Sequence, residues 1–248
     1  MLFRSWKISS IGLPAPVLRK IYFDNARKLL ARSMPLPVVT AARVGKDFDL
    51  DGAMGNRAWK KAQPARMEYE SRDYTAEAEI STSVRLLWSD EFLYLGYECP
   101  YTTLTVFEPP QFGKERFSGE RNVSLWDRDV VEAFIGGDPH NLKHYTEYEV
   151  APTNEKLDLT LSLPERDFAW SSHFETKVHV DEQGKIWTCE MRIPLKSLAE
   201  TKPAPGERWR INLYRCDRAH KAFLAWSPTL GSGGFHEPDK FGILQFAD

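Results

Sequence analysis

From residue 38 onward the chain is a succession of about ten short apolar or alternating runs, closed by turn residues at intervals of roughly 8–12 residues. Ser83–Trp88 and Phe92–Cys99 flank Ser89-Asp90-Glu91, and Phe174–Val180 and Ile186–Ile193 flank Asp181-Glu182-Gln183-Gly184. β-Branched and aromatic side chains dominate these runs and polar turn residues separate them, so each pair reads as a hairpin. Arg208–Cys216, Ala222–Ser227 and Phe241–Phe246 close the series. With almost no long helix after residue 37 and no repeat at a fixed period, the expected fold is all-β, an antiparallel jelly-roll or immunoglobulin-like β-sandwich in one domain, residues 38–248.

Residues 1–37 differ from this body. Residues 1–46 carry nine Lys or Arg against the single Asp24, a net charge of +8 that leaves −10 on the remainder of a chain whose total is −2. Val17, Leu18, Ile21, Tyr22, Leu29 and Leu30 recur among basic residues from Pro16 to Arg32, the pattern of a basic amphipathic helix with proline in its first turn. The segment 1–37 is therefore expected to be a short helical extension. Its poverty in acids also fits a targeting leader, but Ile8–Val17 is too polar and too broken by proline for a secretory core, and no clear cleavable signal is visible.

Within the body, Val130–Ile135 is a buried strand that Gly136-Gly137-Asp138-Pro139 terminates. Side chains alternate along a strand, so Val130, Glu132 and Phe134 share one face while Val131, Ala133 and Ile135 share the other. A carboxylate in mid-strand needs solvent, a cleft or a hydrogen-bonding partner. With Trp126 at the strand entrance, Glu132 has the makings of a sugar site: the ring covers apolar C–H groups and the carboxylate accepts from hydroxyls. Tyr145, Glu147 and Glu149 likewise share a face of the next run. In Ile186–Ile193, Trp187, Cys189, Met191 and Ile193 form the core face and Thr188, Glu190 and Arg192 face outward. Trp59, after the Asp51-Gly52 turn, is expected to tuck against the sheet, and residues 101–122 form a long loop of the kind that lines sites on β scaffolds.

Composition excludes several classes. No apolar run approaches the roughly 20 residues that span a membrane. The acidic body gives no support to nucleic-acid binding. Cys99, Cys189 and Cys216 are too few and too scattered for a zinc cluster and read as small buried thiols.

Several blocks taken together resemble the family 9 carbohydrate-binding modules and their relatives in the DOMON-like β-sandwich superfamily. They are Leu50-Asp51-Gly52 with Trp59; Val84–Tyr97; Leu125-Trp126-Asp127-Arg128-Asp129-Val130-Val131-Glu132-Ala133-Phe134; Tyr145–Val150 leading to Asp158; Trp187–Pro194; Gly206–Trp209 with Asn212 and Arg215; and Trp226-Ser227 followed by Phe235-His236-Glu237-Pro238-Asp239-Lys240-Phe241-Gly242. The resemblance implies a non-catalytic module outside the cell or in its envelope, binding a mono- or oligosaccharide in a slot between two rings, with calcium as a structural ion. Carried over by position, Trp126 matches one ring, Phe235 stands where the other is usually Trp, and Glu132 matches the acid below. Glu149 stands where sugar-binding members place an arginine, and His236 and Arg215 complete the expected polar contacts.

Three alternatives accompany this reading. Glu132, Glu147 and Glu149 offer the paired carboxylates of a sugar-active hydrolase, although no nucleophile or phosphate-loop motif accompanies them. A sandwich stabilised by calcium, whose sugar site has been lost, would draw on Asp127, Asp129, Asp138 and Asp158. Haem, known among the superfamily's relatives, is not expected: Met191 with His179 or His236 supplies the one candidate ligand set, and Met191 falls on a core face.

Overall fold

The computed structural model describes residues 12–30, 33, 35–110, 112, 124–230 and 234–248. The chain divides into two compact units, Met1–Pro35 and Leu36–Asp248. The first holds a helical run that is α over Ala15–Arg19, π-helical over Lys20–Asp24 and α again over Asn25–Leu30. Pro16 sits in the first turn, where an N–H would have no helical acceptor. The expected continuation to Arg32 lies outside the described residues. No helix among the described residues is long and apolar enough to cross a membrane.

Among the described residues, fourteen strands build the second unit. They are β1 (Val38–Arg43), β2 (Ala65–Met67), β3 (Tyr69–Glu70), β4 (Thr82–Trp88), β5 (Phe92–Pro100), β6 (Val130–Gly136) and β7 (His144–Val150). β8 (Lys156–Ser162), β9 (Glu165–Asp167), β10 (Glu175–Asp181), β11 (Ile186–Pro194), β12 (Arg208–Asp217), β13 (Ala222–Ala225) and β14 (Gly242–Phe246) follow. One sheet runs β9-β8-β7-β6-β12-β14-β1; β13 pairs with the last residues of β12 and carries β3 beside it. The other runs β10-β11-β5-β4-β1, with β2 also on β4. The expected hairpins are β4–β5 and β10–β11.

β1 joins the two sheets. Its first residues, Val38–Ala41, run parallel to β14, and Ala42 and Arg43 then run parallel to Leu87 and Trp88 of β4. A strand that passes from one layer to the other is one way a sandwich makes its corner. These parallel pairs are the departure from the purely antiparallel expectation. The remaining pairs are antiparallel, and the architecture is an all-β sandwich.

Alternation sets the layers. Val131, Ala133 and Ile135 of β6, Tyr148 and Val150 of β7 and Ile211 and Leu213 of β12 pack with Leu86, Leu95, Trp187, Cys189 and Met191 of the facing sheet. The Tyr97 hydroxyl donates across this core to the Glu132 carbonyl at 3.0 Å. The opposite face of the first sheet carries a second apolar cluster, with Val130, Phe134, Tyr145, Leu159, Tyr214 and Phe241.

The outer face of the second sheet corrects one expectation. Glu190 does point away from the inter-sheet core, but it is fully buried because residues 44–62 fold across that face. Its carboxylate accepts from Asp51 N at 2.8 Å, Gly52 N at 2.5 Å and Trp59 Nε1 at 2.7 Å. Trp59 comes from the 3-10 turn Arg57–Lys61, which Asn56 caps by accepting from Ala58 N at 2.9 Å. Three well-placed donors are what allow a carboxylate to sit there.

Candidate functional site

The second apolar cluster is hollow where β6, β7 and β8 approach β13. A cavity of about 390 Å³ opens there, within the range of small-molecule sites. Its floor holds Glu132 of β6, Glu147 and Glu149 of β7, Leu159 of β8 and Cys216 of β12. Trp126, Phe168, Phe223 and Phe235 supply aromatic walls, together with His236, and Arg72 and Arg166 also line the cavity.

The strand registers put these groups together. Glu132 stands opposite Glu149 and Phe134 opposite Glu147 on β6–β7, Glu147 faces Leu159 on β8, and Tyr214 faces Glu132 on β12. Trp126 is set by the 3-10 turn Leu125–Asp127, which lies just before β6. Asp129 pins that turn, accepting from Thr105 N at 2.8 Å and Arg218 N at 2.7 Å, and the Arg218 guanidinium donates to the Trp126 carbonyl.

Phe235 is held by a polar relay from β12. Asn212 Nδ2 donates to the Tyr214 hydroxyl at 2.7 Å, which donates to the Phe235 carbonyl at 2.8 Å. The Phe235 ring lies on the Tyr214 ring, with centroids 4.0 Å apart and planes 13° from parallel. The next residue, His236, stacks on Phe134, and its Nδ1 pairs with the Tyr145 hydroxyl at 2.8 Å. Burial, assisted by Arg166, lowers its pKa to about 4 and keeps the ring neutral.

The floor is electrostatically strained. One oxygen from each of Glu132, Glu147 and Glu149 lies within 4.8 Å of the others, and their side chains are out of water. Burial pushes Glu147 up to about 7, moderated by Glu149 and Arg166. Burial and then the charge of Glu147 hold Glu132 well above the ordinary carboxylate range. Glu149 is raised by burial and by both neighbours. Glu132 Oε1 accepts from the Cys216 thiol at 3.4 Å. Among the described residues, Glu147 Oε2 and both oxygens of Glu149 meet no hydrogen-bond donor; the neighbouring carboxyl is the group placed to share a proton with Glu149.

Of the residues singled out from sequence, Trp126, Glu132, Glu149, Phe235 and His236 all line this cavity. Arg215 does not, which corrects its expected place among the polar contacts. It pairs in register with Val131 and points into the opposite side of the sheet, because Tyr214 and Cys216 occupy the cavity side of β12. There its Nη1 donates to Ile80 O and Thr82 Oγ1, and its Nη2 to Pro100 O and Asp217 Oδ2, all within 2.7–3.1 Å.

Alternation marks Glu147, which shares a face with Glu149, and Cys216, which shares one with Tyr214. Arg72 and Phe223 enter through the long-range β3–β13 pairing, and Arg166 and Phe168 through β9, so no local pattern announces them. Thr105 and Phe107 of the long loop support the site without lining the cavity; residues 111 and 113–123 lie outside the described residues.

Among the described residues, the turn acids Asp127, Asp129, Asp138 and Asp158 are engaged separately rather than grouped. Asp129 is committed to two backbone amides, Asp138 accepts from His140 N, and Asp158 accepts from Ser171 and Ser172. Asp127 is half exposed, 3.9 Å from Arg218. Among the described residues, the group of three or more acids, histidines or cysteines close enough to share an ion is Glu132, Glu147 and Glu149. Met191 is packed between the sheets, and His236 lies on the other face of the first sheet.

The sandwich has known counterparts. The family described as carbohydrate family 9 binding domain-like matches residues 50–248, and the chain belongs to that family. An extracellular protein of Arthroderma benhamiae is 25% identical over 180 residues, covering 66% of this chain and 75% of that protein. Endo-1,4-beta-xylanase A of Thermotoga neapolitana is 28% identical over 178 residues, 68% of this chain but 14% of the xylanase. A family 9 carbohydrate-binding module of Caldicellulosiruptor kristjanssonii, solved with cellotriose, superposes with a TM-score of 0.62 at 16% identity, over 85% of this chain and 94% of that one. The same module solved with glucose gives 0.59. At that identity the likeness establishes the fold.

Proposed function

We propose that the cavity over β6 and β7 binds a saccharide without transforming it. The observation that carries this reading is the pairing of aromatic walls, Trp126 and Phe235 among them, with a carboxylate floor in one cavity. Rings cover the apolar faces of a pyranose, and ionised carboxylates accept from its hydroxyls. Phe235 offers less area than the tryptophan expected there and no N–H, so Trp126 provides the larger stacking surface.

The related module was solved with cellotriose and with glucose, and a xylanase shares the family's sequence. Short β-linked gluco- and xylo-oligosaccharides are therefore the ligands to try. The extracellular relative supports the same setting for this chain.

The test is a thermal-shift panel of gluco- and xylo-oligosaccharides. A ligand at 100 times its Kd stabilises by about 2.7 kcal/mol, enough to move the midpoint by several degrees. A shift confined to one sugar class names the ligand. A midpoint indifferent to every sugar contradicts the proposal.

A further inference from the structure

We infer that Glu132, Glu147 and Glu149 form a binding site for a hard divalent cation, calcium by the chemistry of its donors, in the floor of the cavity. Two adjacent strands deliver the three carboxylates through the Glu132–Glu149 register and the two-residue step from Glu147 to Glu149. One oxygen from each lies within 4.8 Å of the other two. Calcium binds oxygens at about 2.3–2.6 Å, so ligands on opposite sides of one ion are about 5 Å apart, and the three oxygens span what a single ion bridges.

A second observation is independent of this clustering. Glu149 is fully buried, yet neither of its oxygens meets a donor among the described residues; Glu147 is 4% exposed and its Oε2 is in the same condition. Buried polar atoms are normally satisfied, and an orphaned one costs about 1–3 kcal/mol. Two basic side chains nearby are turned elsewhere among the described residues: Arg72 is bidentate on Glu70, and Arg218 donates to the Trp126 carbonyl. Arg166 lines the cavity, but no ion pair joins it to the three acids among the described residues. A cation in the floor would satisfy all three orphaned oxygens at once.

Oxygen donors favour calcium or manganese over zinc. The softer neighbours are set back: the Cys216 sulfur donates to Glu132 at 3.4 Å, and His236 Nε2 is 3.9 Å from Glu147 Oε2. The ion would occupy the carboxylate floor that the saccharide reading also uses, while the sugar's stacking surface comes from the walls, so the two are separated by variants of the floor and of the walls.

The experiment is calcium titration of the whole chain, stripped with chelator, by calorimetry at near-neutral pH. Terbium luminescence sensitised by Trp126 provides a second readout. One ion per chain should bind with a Kd below about 1 mM, and the Glu149→Gln variant should weaken it about tenfold or more. Asp138→Asn, in a surface turn, should leave the affinity unchanged. Glu149→Gln removes repulsion, so its apo form should melt no lower than wild type, which shows that the variant is folded. Failure of calcium and manganese to bind at about 5 mM, affinity indifferent to Glu149→Gln, or zinc bound through Cys216 in preference to calcium would each overturn the assignment. Trp126→Ala should weaken saccharide binding roughly thirtyfold or more and keep the ion, so the two proposals fail separately.

Discussion

Glu132 and Glu149 stand directly opposite each other across the antiparallel β6–β7 ladder, both turned toward the cavity and both excluded from water. Like charges in that position destabilise a sheet pair, and burial sharpens the repulsion. The folded chain consequently holds protons there more tightly than the unfolded one.

That asymmetry sets the pH dependence of the metal-free protein. A carboxyl raised in the folded state contributes stability that is complete below its unfolded pKa and is lost as pH rises through the folded value, about 7 for Glu147. Glu132 and Glu149 act in the same direction. His236 opposes them: lowered from 6.5 to about 4, it contributes stability that is lost as pH falls through that interval. Other titratable or charged groups facing the three acids are Asp127, Tyr97, Tyr145, Tyr214, Cys216, Arg166 and Arg218. Between roughly pH 8 and pH 6.5 the carboxyls dominate, and acidification should stabilise the fold by about 1 kcal/mol or more. Urea midpoints in chelator should therefore rise over that window and flatten in Glu149→Gln. A midpoint that falls from pH 8 to 6.5 would contradict the description of the floor.

Arg215 predicts a large effect on stability alone. Its guanidinium and Asp217 are completely buried and paired at 2.8 Å, and removing one partner of such a pair typically costs about 3–5 kcal/mol. Arg215→Ala should lower stability by that order in urea titrations. Saccharide affinity, measured where the variant is still folded, should be unchanged; a selective loss of affinity would return Arg215 to the site.

Gly52 is constrained from two sides. Its φ is +83°, and an added Cβ would lie 2.9 Å from the Val178 carbonyl carbon, with other backbone atoms of Val178 at 3.0 and 3.1 Å. Gly52 N also donates to Glu190. Gly52→Ala should cost about 1–3 kcal/mol by thermal or urea unfolding, since strain and overpacking act together. An unchanged midpoint would show that the turn can move off β10.

Period-2 alternation made much of the architecture legible in the chain. It separated Val131, Ala133 and Ile135 from Glu132 and Phe134, and it put Glu147 and Glu149 on one face. It failed to show that β1 runs parallel to β14 and β4, because pairing between the two ends of the body has no local signature. It also could not distinguish a solvated outer face from a covered one, which is why Glu190 looked exposed when Trp59 lies over it. Arg215 was legible in principle, since Cys216 and Arg215 cannot share a face of β12. Position in the resemblance weighed against that alternation, and the strand geometry decides it.

The proposed saccharide site depends on Trp126 and Phe235 as its walls. Calorimetric titration of the wild-type chain and Trp126→Ala with cello- and xylo-oligosaccharides tests it most directly. The prediction is saturable wild-type binding that Trp126→Ala weakens by about 2 kcal/mol or more, roughly thirtyfold, with the unfolding midpoint nearly unchanged. Equal affinity in the variant, or no binding of either sugar class to the wild type, would contradict it.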